Sequence, residues 1–186
     1  EDRTGVNASN ISLSEKETMR IVSGVEPRGL TPAEIDSTVG TYGIPEFGTR
    51  FVRQMLEVTR PTTFAGLVRI SGLSHGTNVW VNNARDLIKD EIAVLGEVIC
   101  TRDDIMTHLI EMGIEKQQAF KIMEQVRKGR GLNSKEIDIM QAAKLPSWYI
   151  DSCKKIECMF PKAHAVAYVT MAYRIAYFKV YYPFQF

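Results

Sequence analysis

Two groups of cationic side chains suggest the chemistry of this sequence most clearly, and both suit phosphate. The first is the run Arg127, Lys128, Gly129, Arg130 and Gly131, in which three cations stand within four residues. Guanidinium and ammonium groups bind phosphate, and the glycines allow the backbone to bend around a ligand. The alternative is an ordinary helix end, where Lys and Arg are favoured in any case. The residues alone leave both interpretations open.

The second group opens the longest predicted helix, residues 160–182, whose only proline comes before Lys162. Lys162 and His164 stand at its amino-terminal end, where free backbone N–H groups and the helix dipole favour an anion. A Lys and a His at that end add positive charge and hydrogen-bond donors, which predicts a phosphate-binding site. The alternative is a buried core helix that begins after Pro161, with Lys162 in solvent.

The same helix carries a predicted apolar stripe. Tyr168, Met171, Ile175 and Phe178 recur at a helical spacing, which predicts that this face packs against the core. The helix carries several alanines, whose small side chains allow other elements to pack closely against it.

Residues 71–82 are predicted to form the main irregular loop. Its Ser, Gly, His and Thr residues, including Ser74 and His75, offer donors to an anion or a base. Trp80 can stack on a base or plug the loop.

Metal chemistry is not favoured. Cys153, Cys158 and His164 lack an evident fourth ligand, so a zinc site is not predicted. Asp103 and Asp104 are adjacent and would point about 100° apart on a helix, which suits a helix cap better than a two-metal site. The sequence contains no Asp-x-Asp pair.

Charge is unevenly distributed along the 186 residues, although the net charge is only +1. Residues 1–120 contain twelve Lys and Arg against seventeen Asp and Glu, whereas residues 121–186 contain eleven against five. The basic second part indicates a polyanionic partner, unless the imbalance is a chance property of a solvated face.

Two further features concern the environment of the protein. Charges interrupt every apolar run before it reaches the length of a membrane span. The three cysteines suggest a reducing compartment.

Capping signals and hydrophobic spacing predict a mainly α protein with irregular glycine-rich loops and at most a minor strand. Residues 91–99 are predicted to be a strand or a core loop. Two internal helices are predicted to turn Phe51, Met55 and Val58, and Phe120, Met123 and Val126, toward the core. The predicted helices, with their proposed caps, are 14–23 (Ser14 and Glu17), one opening at Thr31, 47–59, one from Thr62 or Thr63 to Gly72, 82–90, one opening at Thr101, 115–128, 134–144 (Ser134), 146–159 and 160–182.

Long strings of this sequence resemble a known family. They are WYIDSCKKIECMFPKAHAVAYVTMAYRIAYFKVYYP at 148–183, GIPEFGTRFVRQML at 43–56, LVRISGLSHGT at 67–77, CTRDDIMTHLI at 100–110 and AFKIMEQVRKGRG at 119–131. Together they resemble the fingers domain of C-family bacterial replicative DNA polymerases, the alpha subunit of DNA polymerase III, and most of all the PolC type. The resemblance covers most of residues 38–183 and fades in residues 1–37. It therefore predicts a fingers core at 38–186, preceded by a loosely matching helical segment at 1–37.

The resemblance implies a module that holds the triphosphate of the incoming dNTP and covers the nascent base pair during DNA replication. On this view two cation clusters face one cleft and share the β- and γ-phosphates, and the glycine-rich loop lines the pocket for the nucleotide or template base. The expected nucleotide-binding residues are Arg127, Lys128, Arg130, Lys162, His164, Ser74 and His75. Expected DNA-binding residues are Arg174, Lys179 and Arg69, of which Arg174 could instead face an internal acid.

The resemblance also implies the surroundings of the module. Its partners would be dNTP, primer-template DNA, and the palm and other domains of the same polymerase, in the bacterial cytoplasm and without a membrane. No cofactor is expected on this chain, whereas Mg²⁺ is expected in the complete polymerase, held by palm aspartates that this chain does not contain. We therefore expect no nucleotide incorporation by the isolated chain. The alternative is a non-catalytic helical module that binds nucleic acid or a protein partner.

Overall fold

The computed structural model describes residues 3–26 and 29–186, and these residues form a mainly α structure, as predicted. Within these ranges the extended pairing amounts to one antiparallel bridge, between Thr77 and Cys158. No helix in this part of the chain has the length and apolar character needed to cross a membrane. The α-helices are α1 Lys16–Arg20, α2 Pro32–Ile35, α3 Arg50–Thr59, α4 Phe64–His75, α5 Arg85–Lys89, α6 Arg102–Glu111, α7 Lys116–Arg127, α8 Ser134–Ala142, α9 Ser147–Lys155 and α10 Lys162–Tyr181.

Several helix starts form where the sequence predicts them. The Thr31 N–H donates to the Glu34 carboxylate at 2.6 Å, which completes a capping box at α2. At α4, the Gly66 N–H donates to the Thr63 hydroxyl at 3.1 Å, so Thr63 is the cap. Thr101 opens α6, again with a capping box.

Two predicted caps are wrong by one residue. The Glu15 carboxylate caps α1 instead of Ser14, because it accepts from the Thr18 N–H at 2.7 Å. Asn133 caps α8 instead of Ser134, because its side chain accepts from the Glu136 N–H at 2.9 Å. In each case a longer side chain one position away reaches the free amide hydrogens.

The loop predicted from residue 71 begins later than expected, because α4 continues to His75. Gly72 does not end the helix. A Cβ on Gly72 would lie 2.7 Å from the carbonyl oxygen of Cys100, so this glycine allows a close approach instead of a turn. Residues 91–99 form turns and coil and not a strand, and only Ala93, Val98 and Ile99 among them are buried.

The predicted apolar stripe of α10 is wrong. Tyr168 and Met171 are 41% and 46% exposed, whereas Ala165, Val169 and Tyr173 are buried. The helix is apolar on most sides, so spacing alone did not identify its inner face; the small alanines allow close packing there.

Two other inward assignments are wrong. Phe51 is exposed, and α3 buries Val52, Met55 and Leu56 instead. Phe120 is 49% exposed on α7. The buried residues of α7 are Ala119, Ile122, Met123 and Val126.

The chain divides into two compact units, residues 1–70 with 166–186, and residues 71–165. In the first unit the Tyr173 hydroxyl donates to the Glu15 carbonyl at 2.6 Å, and the Tyr181 hydroxyl donates to the Glu15 carboxylate at 2.8 Å. These bonds fasten the start of α1 to α10. The predicted division at residue 37 stays a prediction.

In the second unit a buried polar pair fixes the turn before α5 against α9. The Ser152 hydroxyl donates to the Asn83 side-chain oxygen at 2.6 Å. The Asn83 amide donates to the carbonyls of Asn78, at 2.9 Å, and Ser152, at 3.3 Å. Both side chains are almost fully buried, so each polar atom depends on its partner.

This pair generates a stability prediction. We expect Ser152→Ala to lower the free energy of unfolding by about 1–3 kcal/mol, because it leaves the buried Asn83 oxygen without its donor. Ser147→Ala, an exposed position on the same helix, should change it by less than about 0.5 kcal/mol. Urea unfolding of the chain measures both values, and equal effects would contradict the role assigned to the pair.

Candidate functional site

The segment between α9 and α10, residues 156–161, organises the candidate site within the second unit. The Thr77 N–H donates to the Cys158 carbonyl at 2.9 Å, and the Glu157 N–H donates to the Thr77 carbonyl at 3.1 Å. This two-bond bridge holds the residues just after α4 beside the α9–α10 segment.

Two glycines allow the backbones to meet there. A Cβ on Gly129 would lie 2.6 Å from the Glu157 carbonyl oxygen, and one on Gly76 would lie 2.9 Å from the Cys158 carbonyl oxygen. Gly129 also has φ +67°, a left-handed conformation that side chains with a Cβ rarely adopt. The cationic end of α7 and the end of α4 therefore both reach the same segment.

Aromatic rings line the segment where α4 approaches it. The His75 ring stacks on Phe160, with centroids 4.5 Å apart and planes 19° apart, and the His164 ring lies 5.8 Å from Phe160. The Nδ1 atom of His75 lies 2.8 Å from the Ser71 carbonyl and 3.0 Å from the Ser74 hydroxyl. Since a carbonyl only accepts, Nδ1 is the donor in the contact with Ser71.

The cations at the end of α7 share one carboxylate. Arg127 forms two hydrogen bonds with Glu124, one of them 2.8 Å long from Nη2, and the Lys128 ammonium lies 2.9 Å from the same carboxylate. These hydrogen bonds, that of Arg127 first, lower the pKa of Glu124 to about 2. Glu124 is therefore ionised at neutral pH, and an incoming phosphate has to compete with it for Arg127.

Arg127 also lies within electrostatic range of the α9–α10 segment. Its pKa is raised mainly by the hydrogen bond to Glu124, against the effect of burial, and to a smaller extent by the negative charge of Glu124 and by its electrostatic interaction with Cys158. Arg130 is exposed, and its backbone N–H donates to the Gln125 carbonyl at 3.0 Å.

Two carboxylates of α6 contact Lys162 at the start of α10. The Lys162 N–H donates to the Asp103 carboxylate at 2.8 Å, so Asp103 sits where the sequence predicts a phosphate. The Lys162 ammonium lies 3.9 Å from Asp104. This is the position that the helix dipole makes favourable for an anion, and α6 supplies the anion from within the protein.

The predicted DNA-binding residues belong to the first unit. Two of them, Arg174 and Lys179, donate hydrogen bonds to backbone carbonyls of that unit. The Arg174 guanidinium donates to the Ser9 carbonyl at 3.3 Å, and the Lys179 ammonium donates to the carbonyls of Gly40, at 2.9 Å, and Tyr42. Arg69 is half-buried on α4. A DNA-binding role for these three residues stays a prediction.

The described residues contain no group of three or more His, Cys, Asp or Glu side chains arranged to hold a metal ion. Cys153 is fully buried, and burial raises the pKa of its thiol to about 12. Cys158 is exposed, so these two cysteines differ sharply in access to solvent.

Comparison with known proteins identifies the family. A model of the bacterial DNA polymerase III alpha subunit finger domain matches residues 1–144. This chain belongs to that finger domain family. Curated relatives named DNA polymerase III PolC-type match nearly the whole chain. They come from Caldanaerobacter subterraneus (62% identical over 98% of the chain), Thermotoga maritima (60% over 100%) and Listeria welshimeri (58% over 100%). The finger domain spans only 13–14% of the length of these relatives.

Both predicted groups of cations have counter-ions that the prediction missed. Glu124 stands three and four positions before Arg127 and Lys128, a spacing that favours ion pairs on a helix and could have revealed it. Asp103 is distant in sequence from Lys162, so no local pattern pointed to that contact.

The close approach at Gly129 generates a second prediction. Gly131→Ala should cost about 1–2 kcal/mol of unfolding free energy through its positive φ alone, since open space surrounds it. Gly129→Ala has a similar φ and must also displace the Glu157 backbone, which adds about 1–3 kcal/mol.

Denaturant unfolding of the two variants side by side isolates the close approach, because the conformational strain is common to both. Equal losses of unfolding free energy would show that the contact between Gly129 and Glu157 contributes nothing.

Proposed function

We propose that this finger domain binds the triphosphate of the incoming dNTP and covers the nascent base pair in a bacterial replicative DNA-directed DNA polymerase. One observation carries the proposal: the cationic end of α7 and the end of α4 meet at the α9–α10 segment, from which Lys162 and His164 follow directly. Membership of the finger domain family supports it.

Ion exchange is the mechanism that the geometry favours for phosphate binding. Arg127 and Lys128 already hold one carboxylate, so their side chains are ordered before a ligand arrives. A phosphate oxygen can replace Glu124 on the guanidinium, which grips either group with two parallel hydrogen bonds. Arg130, which is exposed, adds a third cation to the run. At the start of α10, a second phosphate oxygen would replace Asp103 in the same way.

The rings at the end of α4 suit the second task, covering a base pair. His75 and Phe160 form a stacked pair whose planes differ by only 19°. Stacked rings present a flat apolar surface, and the Ser74 hydroxyl beside them can turn to donate or accept. We assign Ser74 and His75 to the base or sugar of the nucleotide and the cations to its phosphates.

The complete polymerase would supply what this chain lacks. The proposed partners are dNTP, primer-template DNA and the other domains of the same polymerase, in the bacterial cytoplasm. Phosphoryl transfer by a polymerase uses carboxylates that hold Mg²⁺, which we place outside this chain. The finger domain then positions the nucleotide, and we propose that it does not catalyse incorporation alone.

Kinetics of two variants in the complete polymerase test this function. We expect Arg127→Ala and Lys162→Ala each to raise the KM for nucleotide about ten- to a hundredfold, because a charge-assisted contact is worth about 1.5–3 kcal/mol. All four nucleotides should be affected alike, since the phosphates are common to them. Lys135→Ala, an exposed lysine on α8, is the matched control.

The same assay separates the alternatives. Glu124→Gln should lower the KM for nucleotide, because it releases the cations from a competing carboxylate. If KM is unchanged in Arg127→Ala while primer-template affinity falls and its salt dependence shrinks, the cations hold the DNA backbone and the triphosphate proposal is wrong.

A further inference from the structure

A groove in the first unit is lined by α1 and by the start of α4. It encloses about 440 Å³, a volume in the range of sites that bind a ligand. Leu13, Met19 and Phe64 contribute half-buried apolar side chains to it. None of the residues that line this α1–α4 groove takes part in the function proposed above, so the triphosphate proposal does not account for it.

One buried residue, Tyr173, contacts both walls of the α1–α4 groove. Its hydroxyl donates to the Glu15 carbonyl at the start of α1, at 2.6 Å. Its ring meets Phe64 at the start of α4 edge-on, with centroids 6.2 Å apart and planes 76° apart. The groove is therefore shaped before a partner arrives, which lowers the entropic cost of binding.

The charged side chains that line the groove are positive. Lys16 and Arg20 stand one helical turn apart on α1 and both line it, whereas no acid does so among the described residues. Arg20 pairs with Glu17 at 3.0 Å, but both side chains are exposed, and a partner's carboxylate can exchange with Glu17 in such a weak ion pair. The other polar lining residues carry hydroxyl groups and are Ser14, Ser23, Thr62 and Thr63.

These features favour an acidic protein segment with one apolar anchor residue. Its carboxylates would complement Lys16 and Arg20, while an apolar side chain enters the groove and packs on Met19, whose flexible thioether adapts to different shapes. A nucleic acid strand would also supply negative charge. It binds best, however, where bases stack on exposed rings, and Phe64 is half-buried against Tyr173.

We propose that the α1–α4 groove binds an acidic segment of a partner protein, with one apolar side chain in the groove and the flanking carboxylates on Lys16 and Arg20. One anchored side chain and two exposed ion pairs bury little surface, so the Kd should be roughly micromolar or weaker. The inference does not rest on the proposed function, because the two sites share no residue.

Peptide binding to the complete polymerase tests this inference. In an array of octapeptides, the number of Asp and Glu residues and the presence of one Leu, Met or Phe vary independently. We expect binding only where both features are present. Fluorescence anisotropy then measures the Kd of the octapeptide that binds best, and replacing its acids by amides or its anchor by Gly should weaken binding about fivefold or more.

A substitution in the floor of the groove tests the anchor. Met19→Ala should weaken octapeptide binding by about three- to thirtyfold, because it removes part of the apolar contact. Met19→Leu should keep the affinity, since the two side chains have similar volumes. Met171→Ala removes an exposed methionine from α10 and is the matched control.

A second substitution tests the charge without touching the core. Lys16→Gln should weaken octapeptide binding by about two- to fivefold and reduce its dependence on salt, because one exposed ion pair is lost. Lys89→Gln, at an exposed lysine of the second unit, should change neither quantity.

Several results would overturn the inference. Two of them are wild-type affinity in Met19→Ala and the failure of every acidic octapeptide with an apolar anchor to bind with a Kd below about 1 mM. A third is displacement of the octapeptide by oligothymidylate whose own affinity falls equally in Met19→Ala, which would assign the groove to a nucleic acid strand. The last is dimerisation of the polymerase that Met19→Ala abolishes, which would assign the groove to a second copy.

Discussion

The bridge between Thr77 and Cys158 is the constraint on which the candidate site depends. It joins backbones that are eighty-one positions apart in the sequence, and it forms only because glycine stands at positions 76 and 129 beside the α9–α10 segment. A methyl group at either glycine would meet backbone, which cannot rotate away as a side chain can. The end of α4 and the cationic end of α7 are therefore positioned by backbone contacts.

Carboxylates within the protein pair with cations of both groups that the sequence predicts to bind phosphate. Glu124 holds Arg127 and Lys128, and Asp103 occupies the amino-terminal end of α10. Each carboxylate stabilises the arrangement without a ligand, and the proposed function requires a phosphate to displace it.

The sequence predicted the mainly helical fold and most helix starts, because capping residues act over three or four positions. It misassigned the inner face of α10, since Tyr168 follows a helical spacing yet faces solvent, and on α7 it placed Met123 and Val126 correctly but not Phe120. Apolar spacing identifies a face only when the opposite face is polar. The contact between Asp103 and Lys162, like the bridge at Thr77, joins distant segments, and no local pattern reports it.

Access to Cys158 provides the most direct test that a nucleotide occupies this site. Cys158 is exposed on the α9–α10 segment, whereas Cys100 and Cys153 are buried and serve as internal references. The measurement is the maleimide alkylation rate of the Cys158 peptide, by mass spectrometry, in the complete polymerase with a chain-terminated primer-template. The account predicts that the correct dNTP slows alkylation several-fold and that the corresponding nucleoside, which lacks phosphates, does not. An unchanged rate at saturating dNTP would contradict it.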